Sequence, residues 1–340
     1  MLNKKISVAF CCMMFTLLCS QALFAAPLTI RLASLVPENT AWGAALNKMA
    51  KEWSDATGGD VRLIVYHGGV ISSNEVQVIQ NLKQNQIQAA VLSSAGMSMI
   101  SEKVITLSCP FLVKTDGELD YVLSNIKSEL EADIDKNGYK IIAWSKAGWI
   151  KFFARSPVHT PADLRKQRLA AGNEIPALND AFKALGYTVV LMPYNDILTS
   201  MSANRVDACF QSPVFVASMQ IFGIAKNMSS INVAPFMGGI VLNQATWRRI
   251  PDKHKQKLLE VCARVEKEND NAIAQLEGGA IDVMKKNGLV INEVSPAQQK
   301  LWEDLALSAM PSFTGGKNPI IDPDVYGRIE TLLREFRAQR

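Results

Sequence analysis

Catalysis needs a nucleophile, a tuned acid–base pair or a metal, and each leaves a recognisable spacing of residues. The chain holds three histidines, His67, His159 and His254. None has a neighbouring Cys, Asp or Glu at metal-ligand spacing. The stretch His67-Gly68-Gly69-Val70 has the glycines of an oxyanion loop, yet no G-x-S-x-G nucleophile elbow follows it, so the glycines read as a tight turn. P-loop and G-x-G-x-x-G patterns do not occur in the sequence. With no nucleophile–base pair to point to, binding without catalysis is the favoured class, and neither metal nor cofactor is expected. A hydrolase on the same scaffold, and a module that binds no small molecule, remain as other classes.

The elements that would position binding residues alternate along the chain. Strand-like 28–35, helix-like 40–59 with Thr40 as its cap, strand-like 61–69, helix-like 73–86 and strand-like 87–96 imply a mostly parallel sheet covered on both faces. In such sheets ligands sit beyond the carboxyl ends of the strands, which singles out the loops VPENT, HGGVISS and SSAGMS. The extended run 139–156 exceeds an ordinary strand of about 5–6 residues and can cross into a second lobe. There 168–172 and 188–194 bracket the helix IPALNDAFKALG, RVDACFQSP ends a further strand, and 229–243 carries the chain back. Residues 252–288 keep helical spacing over about 50 Å at ~1.5 Å per residue, a strut across both lobes with Gly278-Gly279 as a place to kink. The expected organisation is an α/β two-lobed fold with two hinge-crossing strands and a long spanning helix. Lobe I takes 26–148 plus 236–265, and lobe II takes 149–235 plus 266–340.

Residues 1–25 read as a signal peptide: Lys4 and Lys5, an apolar run to about Leu18, then small residues. Cleavage after Ala22 or Ala25 fits, and a lipid anchor at Cys19 fits less well because bulky Leu18 precedes it. The chain is therefore expected in the periplasm. The formal charge of +4 loses Lys4 and Lys5 to become +2, and no basic run interleaved with aromatics remains, so nucleic acid is excluded as a partner. Cys109, Cys209 and Cys262 survive export, an odd number that reads as buried small hydrophobes.

Six segments in order carry a resemblance: LASLVPENTAWG (32–43), TGGDVRLIVYHGGVISSNE (57–75), TLSCPFLV (106–113), SPVHTPADLRKQRL (156–169), ALGYTVVLMPYNDILTSMSANRVDACFQSP (184–213) and ATWRRIP (245–251). Through them the chain resembles the periplasmic solute-binding proteins of TRAP transporters (DctP-like) over essentially all of its mature length. The resemblance implies two α/β lobes with a hinge. It also implies a role in closing over a solute and delivering it to a two-part membrane permease, with a helical-repeat periplasmic protein as a further possible partner.

Family members grip an organic acid with an arginine seven residues after the Asp of Pro-x-Asp-Leu, a planar fork suited to carboxylate. Counting from Asp163 gives Ala170. A second family arginine falls at Trp149, and the family's Asn before Pro is Ser212. These departures replace charge by a methyl, an indole and a hydroxyl. The expected site is a largely apolar interlobe cleft walled by Trp42, Trp149, Phe210 and Phe236 near Ala170, with Phe111, Phe152 and Met237 also facing it. Gln211, Ser212, Ser93 and Glu75 supply the polar contacts. Its ligand is then hydrophobic or amphipathic. The alternative is a carboxylate (organic or sugar acid) binder in which Arg168 takes over the fork. The aromatics also fit a packed core, Glu75 a helix cap, and Ser93 and Ser94 backbone partners.

Overall fold

The structure, a computed structural model, describes residues 26–315 and 319–339; the expected signal peptide and Cys19 lie outside them. From the start the chain alternates β1 (Leu28–Ala33), α1 (Ala41–Thr57), β2 (Val61–Tyr66), α2 (Glu75–Lys83), β3 (Ala89–Ser93), α3 (Ser94–Ser98) and α4 (Asp116–Lys136). Thr40 caps α1 as its spacing predicts, its hydroxyl accepting the Gly43 N–H at 3.1 Å. Then follow β4 (Tyr139–Ala154), α5 (Pro161–Arg165), β5 (Arg168–Ala171), α6 (Pro176–Ala184), β6 (Thr188–Leu191), α7 (Ile197–Ser202), β7 (Ala208–Gln211) and α8 (Pro213–Ser218). The last elements are β8 (Asn227–Ser229), β9 (Ala234–Asn243), α9 (Gln244–Arg249), α10 (Asp252–Lys286), β10 (Val290–Asn292), α11 (Pro296–Thr314) and α12 (Pro323–Ala338).

The strands run in the order β2-β1-β3-β9-β4-β7-β5-β6, with β8 joining β10 to the end of β4. The pairs β1–β2, β1–β3, β5–β6, β5–β7 and β8–β10 are parallel, whereas β9 is antiparallel to β3 and β4, and β4 is antiparallel to β7 and β8. The two long runs are the crossing elements. Residues 139–150 of β4 pair with β9, and 151–154 pair with β7. Just before this change of partner the β4–β9 register slips between Lys146 and Trp149, and Gly148 lies at φ 84°, a bulge that bends the strand where the halves meet.

Helix α10 lies across this bend because its carboxylates satisfy backbone donors there. The N–H groups of Trp144, Lys146 and Trp149 donate to Glu266 (2.9 Å), Asp270 (3.0 Å) and Glu277 (3.5 Å). Those acids recur four and seven residues apart, on one helix face. Burial pushes Asp270 up to about 6. One end of α10 packs Leu258, Cys262 and Val265 into the first half's core, and Met284 belongs to the second half's core. The helix runs on through Gly278-Gly279. One expectation is corrected. The C-terminal α12 places Val325, Ile329 and Leu333 in the first half's core beside α4, so 266–340 does not lie wholly in lobe II. The amphipathic spacing of α12 showed that it needed a partner, not which lobe supplies it.

Candidate functional site

Two cavities open between the halves. The first, about 180 Å³, lies beyond the carboxyl ends of β3, β5 and β7, where a parallel sheet's loops gather. Helix α6 and its flanks explain its wall. Ile175, Leu178, Phe182 and Leu185 recur at helical spacing, yet this stripe stays half-exposed and lines the cavity. Opposite it, Trp302 of α11 stacks on Phe152 at 4.9 Å between ring centroids. Phe111 completes this side at φ 62°, a backbone that costs a bulky residue about 1–3 kcal/mol. Its N–H donates to the Val233 carbonyl at 2.7 Å, which holds the ring against the wall.

The second cavity, about 170 Å³, lies against α1, α8 and α10. It shares Ser93, Tyr194, Gln211 and Phe236 with the first, so these four side chains form the partition. Among the described residues, no Lys, Arg or His lines either cavity.

Acids gather at the partition instead. Glu75, only 3% exposed, accepts from the Ser93 N–H (2.5 Å) and the Ser93 hydroxyl (2.7 Å). A side chain on Gly96 would meet its carboxylate at 2.6 Å. Glu174, 7% exposed, accepts from the Tyr194 hydroxyl at 3.4 Å and folds back over Gly172. Burial, reinforced by the negative charge of Glu174, pushes Glu75 up to about 7 despite its hydrogen bonds. Burial also raises Glu174, and burial with both acids raises Tyr194. The thiols of Cys109, Cys209 and Cys262 are buried and pushed up to about 12, which makes them inert at neutral pH.

The expected site residues divide. Phe210 faces the first cavity, Trp42 and Glu75 the second, and Ser93, Gln211 and Phe236 both; Phe111 and Phe152 line the first and Met237 the second. Three lie elsewhere. The Trp149 indole donates to Asp116 at 3.0 Å within the first half's core. Ala170 is packed in the second half's core. The Ser212 hydroxyl accepts the Phe215 N–H at 3.3 Å, capping α8. Arg168 does not reach either cavity. Its guanidinium forks onto Asp207 (2.6 and 2.7 Å) at the lobe rim with 41% of the side chain exposed. Glu174 and Tyr194 were missed, though both stand just past the carboxyl ends of β5 and β6, where the loop rule points. Trp302 carried no local signal.

Comparison with known proteins adds the kinship. Residues 32–314 match the bacterial extracellular solute-binding protein family 7. The 2,3-diketo-L-gulonate-binding periplasmic protein YiaO of Escherichia coli (strain K12) is 23% identical over 75% of this chain and 78% of its own. The C4-dicarboxylate-binding protein DctB of Bacillus subtilis (strain 168) is 23% identical over 81% and 79% respectively. The crystal structure of a TRAP periplasmic solute binding protein from Shewanella oneidensis with bound succinate superposes at a TM-score of 0.83. It is 16% identical and the match covers 91% of this chain and all of that one.

Proposed function

This chain belongs to the bacterial extracellular solute-binding protein family 7, and on that premise we propose that it captures an organic acid with an apolar body in the periplasm, for delivery to TRAP membrane permease subunits. The acid is supported by relatives named for diketogulonate, C4-dicarboxylate and succinate. The apolar body rests on one observation: the Ile175-Leu178-Phe182-Leu185 stripe is left half-exposed over a cavity lined, among the described residues, by no cation. Each Å² of ligand surface covered there is worth about 25 cal/mol. Two-lobed binders close by hinge motion, and the bulge at Gly148 lies on the strand such a motion would bend.

The polar end of the ligand meets Ser93, Ser94, Gln211 and Tyr194, with Glu174 close by. A carboxylate beside a buried acid and no cation is held only if one of the two takes up a proton. Affinity then falls by up to about tenfold per pH unit once both would ionise. The other reading, an acid gripped by Arg168, shares the support of the relatives for its acid, while the Arg168–Asp207 fork speaks against its grip.

The test is mass spectrometry of the gently purified chain, followed by thermal shifts with phenylacetate, 4-methylvalerate and octanoate against succinate and galacturonate. The expected result is stabilisation by the apolar monocarboxylates, stronger at pH 6 than at pH 8. Stabilisation by succinate or galacturonate alone, lost in Arg168→Ala, would replace this reading with the other.

A further inference from the structure

The pole of the second half that faces away from the cavities gathers basic side chains from five elements. Strands β5 and β7 are parallel and β4 ends antiparallel to β7, so the starts of β5 and β7 meet the end of β4 at one edge. Strand β8 starts there beside Ala154, and β10 starts beside β8. Arg155 follows β4, Arg168 opens β5, Arg205 precedes β7 and Lys226 precedes β8, while Lys285 and Lys286 end α10 just before β10. Two acids stand among these six. Asp207 is engaged by Arg168 (2.6 Å) and Arg155 (3.8 Å), and Asp282 is exposed one turn before the lysines. The neighbouring Lys166 and Asp163 pair with each other at 3.3 Å.

Four cations are left over. Arg205, Lys226, Lys285 and Lys286 are exposed and, among the described residues, form no ion pair. The last carbonyls of α10 accept from the N–H groups of Asn287, Gly288 and Leu289 and from the Asn287 side chain at 2.8 Å, which leaves both lysine ammonium groups to solvent or a partner. Two apolar side chains are exposed in the same belt. Val283 (53%) stands one turn before Lys286, and Val290 (55%) donates its N–H to the Lys226 carbonyl at 2.8 Å. None of these side chains lines either cavity. A small anion needs converging donors, and the two guanidiniums that converge are already engaged by Asp207. A nucleic acid would need aromatic platforms, and no aromatic stands among these residues. Charge carried on long stems from five elements, with valines between, instead suits a plane of negative headgroups over an apolar interior.

We propose that this pole docks on the surface of an anionic lipid bilayer. The cavities open at the opposite ends of the same strands, so the chain is held at the membrane with its cleft free to exchange solute. The docking does not depend on which acid the cleft takes.

The experiment sediments residues 26–340, so that the apolar run near the start of the chain plays no part, with vesicles of phosphatidylcholine alone or with about one-quarter phosphatidylglycerol. The expected result is binding to the anionic vesicles only, present at about 50 mM salt and lost by about 300 mM as the Debye length shortens. Each basic residue near such a surface is worth about fivefold in binding. Lys285→Glu with Lys286→Glu, and separately Arg205→Glu with Lys226→Glu, should therefore each lower it by more than about tenfold. Lys83→Glu with Lys136→Glu makes the same charge change on exposed lysines of the first half and should lower it less than about threefold. Equal loss in that control pair overturns the proposal in favour of attraction by net charge alone. Equal binding to neutral vesicles overturns it too, as does no binding to anionic vesicles at low salt, even if the pole retains an acidic polypeptide. The lipid and salt dependence of the unaltered chain tests the proposal without any variant.

Discussion

At the start of β5, Arg168 meets Asp207 through two short hydrogen bonds close to solvent, with Arg155 also near that carboxylate at 3.8 Å. At the partition between the cavities, Glu75 and Glu174 are sunk among apolar side chains with a tyrosine and, among the described residues, no lining cation. The rim pairs its charges in the open, where an ion pair mainly fixes geometry. The partition keeps its acids unpaired, where desolvation changes their protonation. Charge that is cheap to hold has been spent on lobe structure, and charge that is costly to hold sits where a ligand must pass.

The largest expected effect comes from putting the family's fork back. Ala170→Arg would bury a guanidinium in the core that contains Ala170. The expected loss is about 4 kcal/mol in urea denaturation, with no gain in succinate binding. A stable variant that binds succinate would erase the contrast between the two regions.

The pH response comes next. Glu75 in the folded chain sits at about 7, above its ordinary 4.5, so the folded state holds this proton longer than the unfolded one. The stabilisation is fully present below the unfolded value and is lost as pH rises through 7. It amounts to about 3 kcal/mol at 1.36 kcal/mol per unit. At the rim the sign reverses: hydrogen bonding from Arg168 holds Asp207 below its ordinary value, so its contribution is lost only as pH falls below that range. Thermal unfolding followed from pH 5 to pH 8 should therefore show declining stability; a flat profile would mean that Glu75 is solvated.

Gly172→Ala is a finer test. The added carbon would stand 1.8 Å from a Glu174 carboxylate oxygen, so that flexible group must swing away and release Glu75 from its repulsion. The pH-dependent stability should shrink by about 1 kcal/mol. An unchanged profile would leave burial as the sole cause. The smallest effect is expected at Arg168→Ala, which should leave ligand affinity within about twofold, measured by calorimetry.

Much of the architecture was legible because it rests on local periodicity. Alternation of strands and helices, the cap at Thr40, the two over-long strands and the helix from residue 252 all follow from residue spacing over one or two turns. The site was only partly legible. Six of the nine expected residues line the cavities, because loops beyond parallel strands can be located from strand ends. Trp149 and Ala170 were expected in the site because they stand where the resembled family has arginines, and a residue too apolar for that role follows the nearest core instead. The α6 stripe was visible too, but a stripe facing a packed core and one facing an empty cavity have the same spacing.

By itself, then, the sequence determined the class of fold, the crossing strands and the absence of an arginine at position 170, since these depend on residue identity and short-range periodicity. Only the tertiary structure decided that Arg168 turns to Asp207, that Glu75 and Glu174 from opposite halves come to share one buried partition, and that α12 returns to the first lobe. These depend on contacts between residues far apart in the chain. Their energies arise from burial and charge proximity, which no local pattern of residues encodes.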